Sequence, residues 1–315
     1  MPSSAVYSFT DPDEYAATAR ATRVELTITE RGPFTAKLVR IDLHRLWMQR
    51  YSDNLPRIGY WANVAGRAIV SFRTEPGPSL LSSGLEMDPS KIFRRCEAQD
   101  YFQQSSGSAG FGSISLPMEE MVAVGAATAG CDLTPPRNTL VVTPPPSAMT
   151  KLQRLHAAAG DLAEKAPEII ANPDAARGLE QALIEAMVGC LGHRDGRKIG
   201  LAQGQHALVM RRFRRVVEEN PEQPLYIPEM CKAIGVSERT LRICCQEHLG
   251  MGPKRYLLLR RMHLARCALR QAAPEPRSVT DIATRYGFWR LGRFAGEYQS
   301  LFGEPPSATL HRQFD

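Results

Sequence analysis

Apolar and polar residues alternate over much of the first 120 residues of the chain. This period of two is typical of β-strands that have one buried and one solvent-facing side. Turns rich in glycine, proline and serine separate the alternating segments, and no helical amphipathic run intervenes over the first hundred residues. The pattern predicts a compact β-barrel or sandwich and argues against a doubly wound α/β sheet. The predicted strands are residues 23–30, 34–47, 67–73, 80–87, 111–116 and 139–143.

The apolar period lengthens to about 3.6 residues after the proline run 144–146, which predicts helices over residues 148–164 and 173–191. In the second helix an apolar stripe recurs every four positions, at Leu179, Leu183, Met187 and Leu191. Such a stripe packs on the β-domain of its own chain or forms a dimer interface, and the sequence leaves both open. The polar, glycine-rich segment that follows predicts an inter-domain linker at residues 196–204.

A basic helix is predicted over residues 207–220, followed by helices over residues 225–234 and 238–248. Between the last two, Gly235 permits a sharp turn and Ser237 is suited to cap the next helix. A helix, a glycine turn and a capped helix make up the helix-turn-helix pattern, whose second helix enters the major groove of DNA.

The same pattern recurs after a long basic helix predicted over residues 253–272. Residues 278–283 are the capped first helix, residues 286–288 the turn, and residues 291–301 the second recognition helix. The sequence therefore predicts an all-α C-terminal domain in which a long helix joins two helix-turn-helix units.

The charge of the chain supports this division. The net charge is +6, but residues 1–203 carry 21 Lys and Arg against 22 Asp and Glu, whereas residues 204–315 carry 18 against 11. A basic region beside a neutral one is typical of a module that binds a polyanion. Seven cysteines without metal or disulfide spacing fit a reducing cytosol. The sequence lacks a secretory signal and a membrane-spanning apolar run, so we expect a cytoplasmic protein with no membrane partner.

Residues 225–307 resemble the AraC/XylS family of bacterial transcription regulators. The residues that carry the resemblance recur at the family's spacings: Ile234 to Ser237 with Leu241, Gly250 to Pro253, Leu264 to Arg266, Val279 to Ala283, Tyr286 to Phe288, and Phe294, Tyr298, Phe302, Gly303 and Pro305. The resemblance implies two recognition helices in successive major grooves of double-stranded DNA, about 34 Å apart.

The candidates for contact with bases are Arg239, Thr240 and Arg242 in the first unit, and Arg290 and Arg293 in the second. Ser237 is a further candidate for contact with DNA, and the candidates for contact with phosphates are Arg211, Arg212, Lys254 and Arg255. Two positions depart from the family, which often has arginine where this chain has Ile243 and Gly296, so the target sequence cannot be carried over. Trp289 is either a wedge against the DNA backbone or a core residue, and we expect the core.

The family resemblance implies an N-terminal domain that senses a ligand, dimerises, or does both, often on a cupin-like barrel. The fold class expected is therefore two-domain α+β. Residues 1–195 form the cupin-like β-barrel or sandwich with flanking helices, and residues 205–315 form the all-α double helix-turn-helix domain. His44 is the one histidine before residue 150, and Cys96 and Cys131 lack ligand spacing, so we expect neither a metal nor another cofactor.

The sequence also lacks the glycine and nucleophile motifs of common enzymes, so we expect a regulator and not an enzyme. There are two alternatives. The chain is an enzyme that carries a DNA-targeting module, or it is a ligand-binding protein that acts only through protein partners. The aromatic residues Trp47, Tyr60 and Trp61 are the candidates for effector contact, and packing in the core is the alternative for them. We further expect a homodimer formed through the N-terminal half and, for an activator, contact with RNA polymerase.

Overall fold

The computed structural model describes residues 1–95, 100–136, 138–192, 196–198, 201–271 and 278–311. Its strands are β1 (Ser3–Phe9), β2 (Thr22–Ile28), β3 (Ala36–Asp42), β4 (Trp47–Asp53), β5 (Arg57–Asn63), β6 (Arg67–Arg73), β7 (Leu80–Ser82), β8 (Leu85–Glu86), β9 (Ile92–Arg94), β10 (Asp100–Ser105), β11 (Ala109–Pro117), β12 (Leu140–Val142) and β13 (Gly196–Lys198).

Its helices are α1 (Pro12–Thr18), α2 (Met118–Ala129), α3 (Pro146–Lys165), α4 (Pro167–Ala171), α5 (Pro173–Leu191), α6 (Leu201–Glu219), α7 (Ile227–Ile234), α8 (Glu238–Leu249), α9 (Pro253–Arg270), α10 (Val279–Arg285), α11 (Leu291–Phe302) and α12 (Pro306–His311). In the described part of the chain, none of these helices is both long and apolar enough to cross a membrane.

The strands form two sheets that face each other. One has eight strands in the order β1-β3-β4-β11-β6-β9-β12-β13, and the other has five in the order β2-β5-β10-β7-β8. The neighbouring strands run antiparallel, as in the full-length pairing of β3 with β4. Between the sheets the rings of Tyr51 and Phe111 stack with centroids 4.6 Å apart, and both meet the edge of Trp61. This β-sandwich, with its flanking helices and the helical C-terminal region, confirms the predicted α+β fold.

Helices α3 and α5 cover the outer side of the eight-stranded sheet. Leu183, Met187 and Leu191 of α5 are buried in one apolar core with residues of β3 and β4, and Leu179 packs against the same core. The carboxylate of Glu180 in α5 also accepts hydrogen bonds from the backbone N–H of Arg45 at 2.9 Å and Leu46 at 3.2 Å. The apolar stripe therefore packs on its own β-domain, and the alternative that it forms a dimer interface is wrong.

Several predicted elements differ from the observed ones in the first 130 residues. The expectation of no helix before residue 100 is wrong, because α1 forms there with the Asp11 carboxylate capping its first turn. Residues 34–47 are not one strand, since a turn closed by the Leu43 N–H and the Leu46 carbonyl ends β3. Helix α2 and strands β1, β4, β5, β9 and β10 were not predicted.

The helical region packs directly on the five-stranded sheet. Ile58, Tyr60 and Phe102 of that sheet share one apolar core with Phe213 of α6 and Tyr256 of α9. A second apolar core, built from α9 to α11, holds the last helices together. The predicted linker at residues 196–204 contains β13, which pairs with β12, and the start of α6. The domain boundaries themselves stay a prediction.

Candidate nucleic-acid interface

Helices α7 and α8 form the first helix-turn-helix unit. Gly235 ends α7 with a φ of 78°, a backbone conformation that favours glycine. The Ser237 hydroxyl then accepts a hydrogen bond from the Thr240 N–H at 3.1 Å, which satisfies a free donor of the first turn of α8. Ser237 was predicted both as this cap and as a DNA contact, and the structure places it at the cap, exposed to solvent.

The N-terminal half of α8 presents its arginines to solvent. The side chain of Arg242 is 64% exposed and its guanidinium donates to the Glu238 carboxylate at 2.6 Å. Arg239 is exposed on the same helical face, and Thr240 is half-buried. An exposed pair four residues apart on a helix contributes only about 0.3–0.5 kcal/mol, so Arg242 is available to another partner.

The opposite side of α8 is apolar. Leu241, Cys244 and Cys245 are fully buried there, and burial raises the pKa of the Cys244 thiol to about 11. These two adjacent cysteines are core residues. Cys131 is half-buried near the end of α2, and Cys96 lies outside the described residues.

Helices α10 and α11 form the second unit by the same local rules. Ser278 and Asp281 form a reciprocal capping box at the start of α10, and Gly287 takes a φ of 74° in the turn. Arg290 stands at the N-cap of α11 and is exposed. The side chain of Arg293 is 67% exposed and pairs with Glu297 at 2.8 Å.

Trp289 is not a core residue, contrary to expectation. Trp289 is 65% exposed, whereas its neighbour Phe288 is buried. The ring centroid of Phe288 lies 4.8 Å from that of Phe294. Phe288, and not Trp289, belongs to the apolar core of the last helices. The indole instead borders a cavity of about 320 Å³ between the two units, together with Tyr226 and Lys254.

The candidate phosphate contacts lie on α6 and α9. Lys254 and Arg255 are exposed in the first turn of α9, and Arg211 and Arg212 are exposed on α6. Arg212 also donates to the Ile234 carbonyl at 3.1 Å, near the C-terminal end of α7. Cations at the N-terminus of a helix oppose its dipole, so Lys254 and Arg255 do not serve the stability of α9.

Part of the basic excess is used inside the fold, which the sequence did not reveal. Glu25 of β2 accepts hydrogen bonds from Arg214 of α6 at 2.6 Å and from Arg260 of α9 at 2.9 Å. Burial alone would raise the pKa of Glu25, but the hydrogen bond and charge of Arg214 and the charge of Arg260 outweigh it and lower the pKa to about 2. This Glu25 ion cluster (Glu25, Arg214 and Arg260) connects the sandwich to α6 and α9, the helices that precede and follow the first unit.

The N-terminal candidates do not gather in one pocket. Trp47 lies between the guanidinium groups of Arg20 and Arg67, 3.7 and 3.6 Å from the ring centroid. Tyr60 donates to Asp100 and lies under Arg214 at the interface with the helices. Trp61 borders a cavity between the sheets whose volume is about 20 Å³, enough for one water molecule.

His44 is exposed, and its Nε2 lies 3.2 Å from the Pro173 carbonyl. Within the described residues, no three His, Cys, Asp or Glu side chains come together in a way that could hold a metal ion.

The geometry defines a DNA-binding domain with two helix-turn-helix units. Residues 230–312 match the family model described as a helix-turn-helix domain. This C-terminal region belongs to the helix-turn-helix domains of the AraC/XylS type.

Curated relatives are similar to about a third of this chain. The "Probable thc operon regulatory protein" of Rhodococcus erythropolis is 44% identical over 94 residues, which cover 30% of this chain and 28% of the relative. The "XylDLEGF operon transcriptional activator" of Pseudomonas putida is 39% identical over 103 residues, which cover 32% of each. The matches thus span about a third or less of these curated relatives.

A solved structure of a probable AraC family transcriptional regulator from Rhodopseudomonas palustris is 32% identical and covers 33% of this chain and 95% of that one, with a TM-score of 0.30. That of ToxT from Vibrio cholerae is 10% identical and covers 93% of this chain and 98% of that one, with a TM-score of 0.29.

Proposed function

We propose that the chain is a sequence-specific, DNA-binding transcription regulator of the AraC/XylS family, controlled by a small effector that the N-terminal region binds. One observation carries the proposal. Each of the two units presents exposed arginines in the first turns of its second helix, Arg239 and Arg242 in one and Arg290 and Arg293 in the other. Arginine donates two parallel hydrogen bonds to O6 and N7 of guanine in the major groove.

The two groups of basic residues have different roles in this proposal. The arginines of α8 and α11 read bases, with Thr240 beside them, whereas Lys254, Arg255, Arg211 and Arg212 neutralise phosphates. Phosphate contacts set the register and the salt dependence of binding but no sequence preference. The position of Lys254 and Arg255 at the unfavourable end of a helix dipole supports a role outside the fold.

The test measures binding of the full chain to duplexes selected in vitro, by fluorescence anisotropy over a series of salt concentrations. We expect the logarithm of the affinity to fall linearly with the logarithm of salt. Arg239→Ala is expected to relax discrimination at one base pair by about 1–3 kcal/mol. Lys254→Ala is expected to weaken binding to every sequence and to lower the salt slope by about 1.

The matched control is Arg177→Ala, because Arg177 is an exposed arginine of the N-terminal region that pairs with Asp174 at 3.8 Å. This variant should bind as the wild type does. Binding that does not respond to salt, or an Arg239→Ala variant with unchanged base preference, would contradict the proposal.

Control by an effector is supported by the contacts between the sandwich and the helical region. A ligand can shift the DNA-binding equilibrium only through contacts that differ between two states. The Glu25 ion cluster and the shared core around Tyr60 and Tyr256 provide such a connection. Trp61 is the remaining aromatic candidate beside a cavity in the sandwich, and its indole Nε1 has no hydrogen-bond partner among the described residues.

The remaining partners and the compartment belong to the same proposal. We infer a cytoplasmic, non-enzymatic homodimer that contacts RNA polymerase as an activator. Since the stripe of α5 is buried, we propose that other residues of the N-terminal half form the dimer surface. Light scattering of the full chain at micromolar concentration, alone and bound to its DNA, tests the proposed dimer. A chain that stays monomeric in both measurements would contradict the dimer.

A further inference from the structure

An isoleucine interrupts the basic surface of α8. Ile243 is 47% exposed, and it lies one residue after Arg242 and four residues after Arg239 on the same helical face. The opposite face holds the buried residues Leu241, Cys244 and Cys245, so Ile243 is not a core residue that is partly uncovered. The exposed face of this helix thus combines two cations with one branched apolar side chain.

The fold leaves the part of α8 around Ile243 open. The C-terminal end of the helix packs on the five-stranded sheet, where Glu247 lies 2.5 Å from His206 of α6. Large apolar side chains are exposed at nine places in the described part of the chain, and three of these, Ile243, Trp289 and Leu291, lie on the two second helices or just before them. Their position favours a partner that both units share.

We propose that Ile243 recognises the 5-methyl group of a thymine in the major groove, beside a base that Arg239 or Arg242 contacts. This inference rests on the proposed function and adds one specific element to it. Thymine presents a methyl group in the major groove, and aliphatic side chains contact that group. The flanking arginines are complementary to DNA in charge, so they favour the duplex over a protein surface as the group that covers Ile243.

The experiment removes the methyl group and the side chain separately. In the duplex selected for the full-length wild type, each thymine is replaced in turn by deoxyuridine, which differs only by the methyl group. Affinities are measured for the wild type, Ile243→Ala and Ile169→Ala. Ile169 is the matched control, because it is 44% exposed and lies in α4 of the N-terminal region.

We expect one thymine at which deoxyuridine weakens wild-type binding about fourfold, the factor for one lost apolar carbon contact. At that position the Ile243→Ala variant should bind both duplexes equally, whereas Ile169→Ala should keep the fourfold difference. Coupling of this kind between two substitutions reports a direct contact.

The inference is overturned if no thymine shows a penalty that Ile243→Ala removes. It is equally overturned if Ile243→Ala leaves all DNA affinities unchanged but abolishes activation of transcription, since Ile243 would then contact a protein. Both results leave sequence-specific binding intact, so they are distinguishable from failure of the proposed function, in which the wild type shows no sequence preference.

Discussion

Replacing Glu25 with glutamine is expected to destabilise the whole chain, because Glu25 neutralises two nearly buried arginines. The side chains of Arg214 and Arg260 are 5% and 7% exposed, and an unpaired charge at such a position is costly. The fall in the pKa of Glu25 from 4.5 to about 2 corresponds to roughly 3 kcal/mol at about 1.4 kcal/mol per pKa unit. Since Glu25 is partly open to solvent, screening reduces this, and we expect a loss of about 2 kcal/mol.

The assay is equilibrium unfolding in urea at a series of pH values. The pKa of Glu25 is lower in the folded chain than in the unfolded chain, so the stability that it contributes is complete above pH 4.5 and is lost as the pH falls towards 2. The Glu25→Gln variant should be less stable than the wild type at pH 7 and should show a smaller loss of stability over this acidic range.

Glu218→Gln is the matched control for this prediction. Glu218 also accepts a hydrogen bond from Arg214, at 2.9 Å, but its other arginine partner is Arg23, whose side chain is 74% exposed. Its substitution should cost less than about 1 kcal/mol. An equal cost for the two variants, or an unchanged pH profile for Glu25→Gln, would refute the reasoning.

Three further substitutions test the local structure by urea unfolding of the full chain. Leu241→Ala removes a fully buried side chain of α8 and should cost about 2–5 kcal/mol; a cost below 1 kcal/mol would mean that α8 does not pack as described. Ser278→Ala removes the capping box of α10 and should cost about 1 kcal/mol, and an unchanged midpoint would argue against the cap. Burial lowers the pKa of His156 from 6.5 to about 3, so its contribution to stability is present above pH 6.5 and declines as the pH falls from 6.5 towards 3. His156→Gln should flatten that decline, and an identical pH profile would contradict it.

The helix-turn-helix units were predictable because their signals are local. The caps at Ser237 and Ser278, and the turns at Gly235 and Gly287, depend on residues within a few positions of each other. The helices between them follow from the apolar period alone. The predicted arginine and lysine candidates are all exposed in the structure, whereas Thr240 is half-buried.

The contacts between the two regions were not predictable. The alternating pattern of its strand predicts that Glu25 is a polar residue facing solvent. Its partners Arg214 and Arg260 lie 189 and 235 residues later in the sequence, so no local pattern connects them with Glu25. Strand β5 shows no alternation, because five successive residues are buried between the eight-stranded sheet and the helices. Burial on both faces removes the period of two that identifies a strand.

The shared core around Tyr60, Phe102, Phe213 and Tyr256 restricts how this protein can be divided. A fragment that begins at α6 would leave Phe213 and Tyr256 without their cover, and its behaviour would not represent the intact chain. A chimera that joins the sensing half of another regulator to these helices would meet the same mismatch. Such a chimera must therefore keep the aromatic residues of β5 and β10 together with the helices. Its junctions have to be chosen from the contacts between the two regions and not from a single position in the sequence.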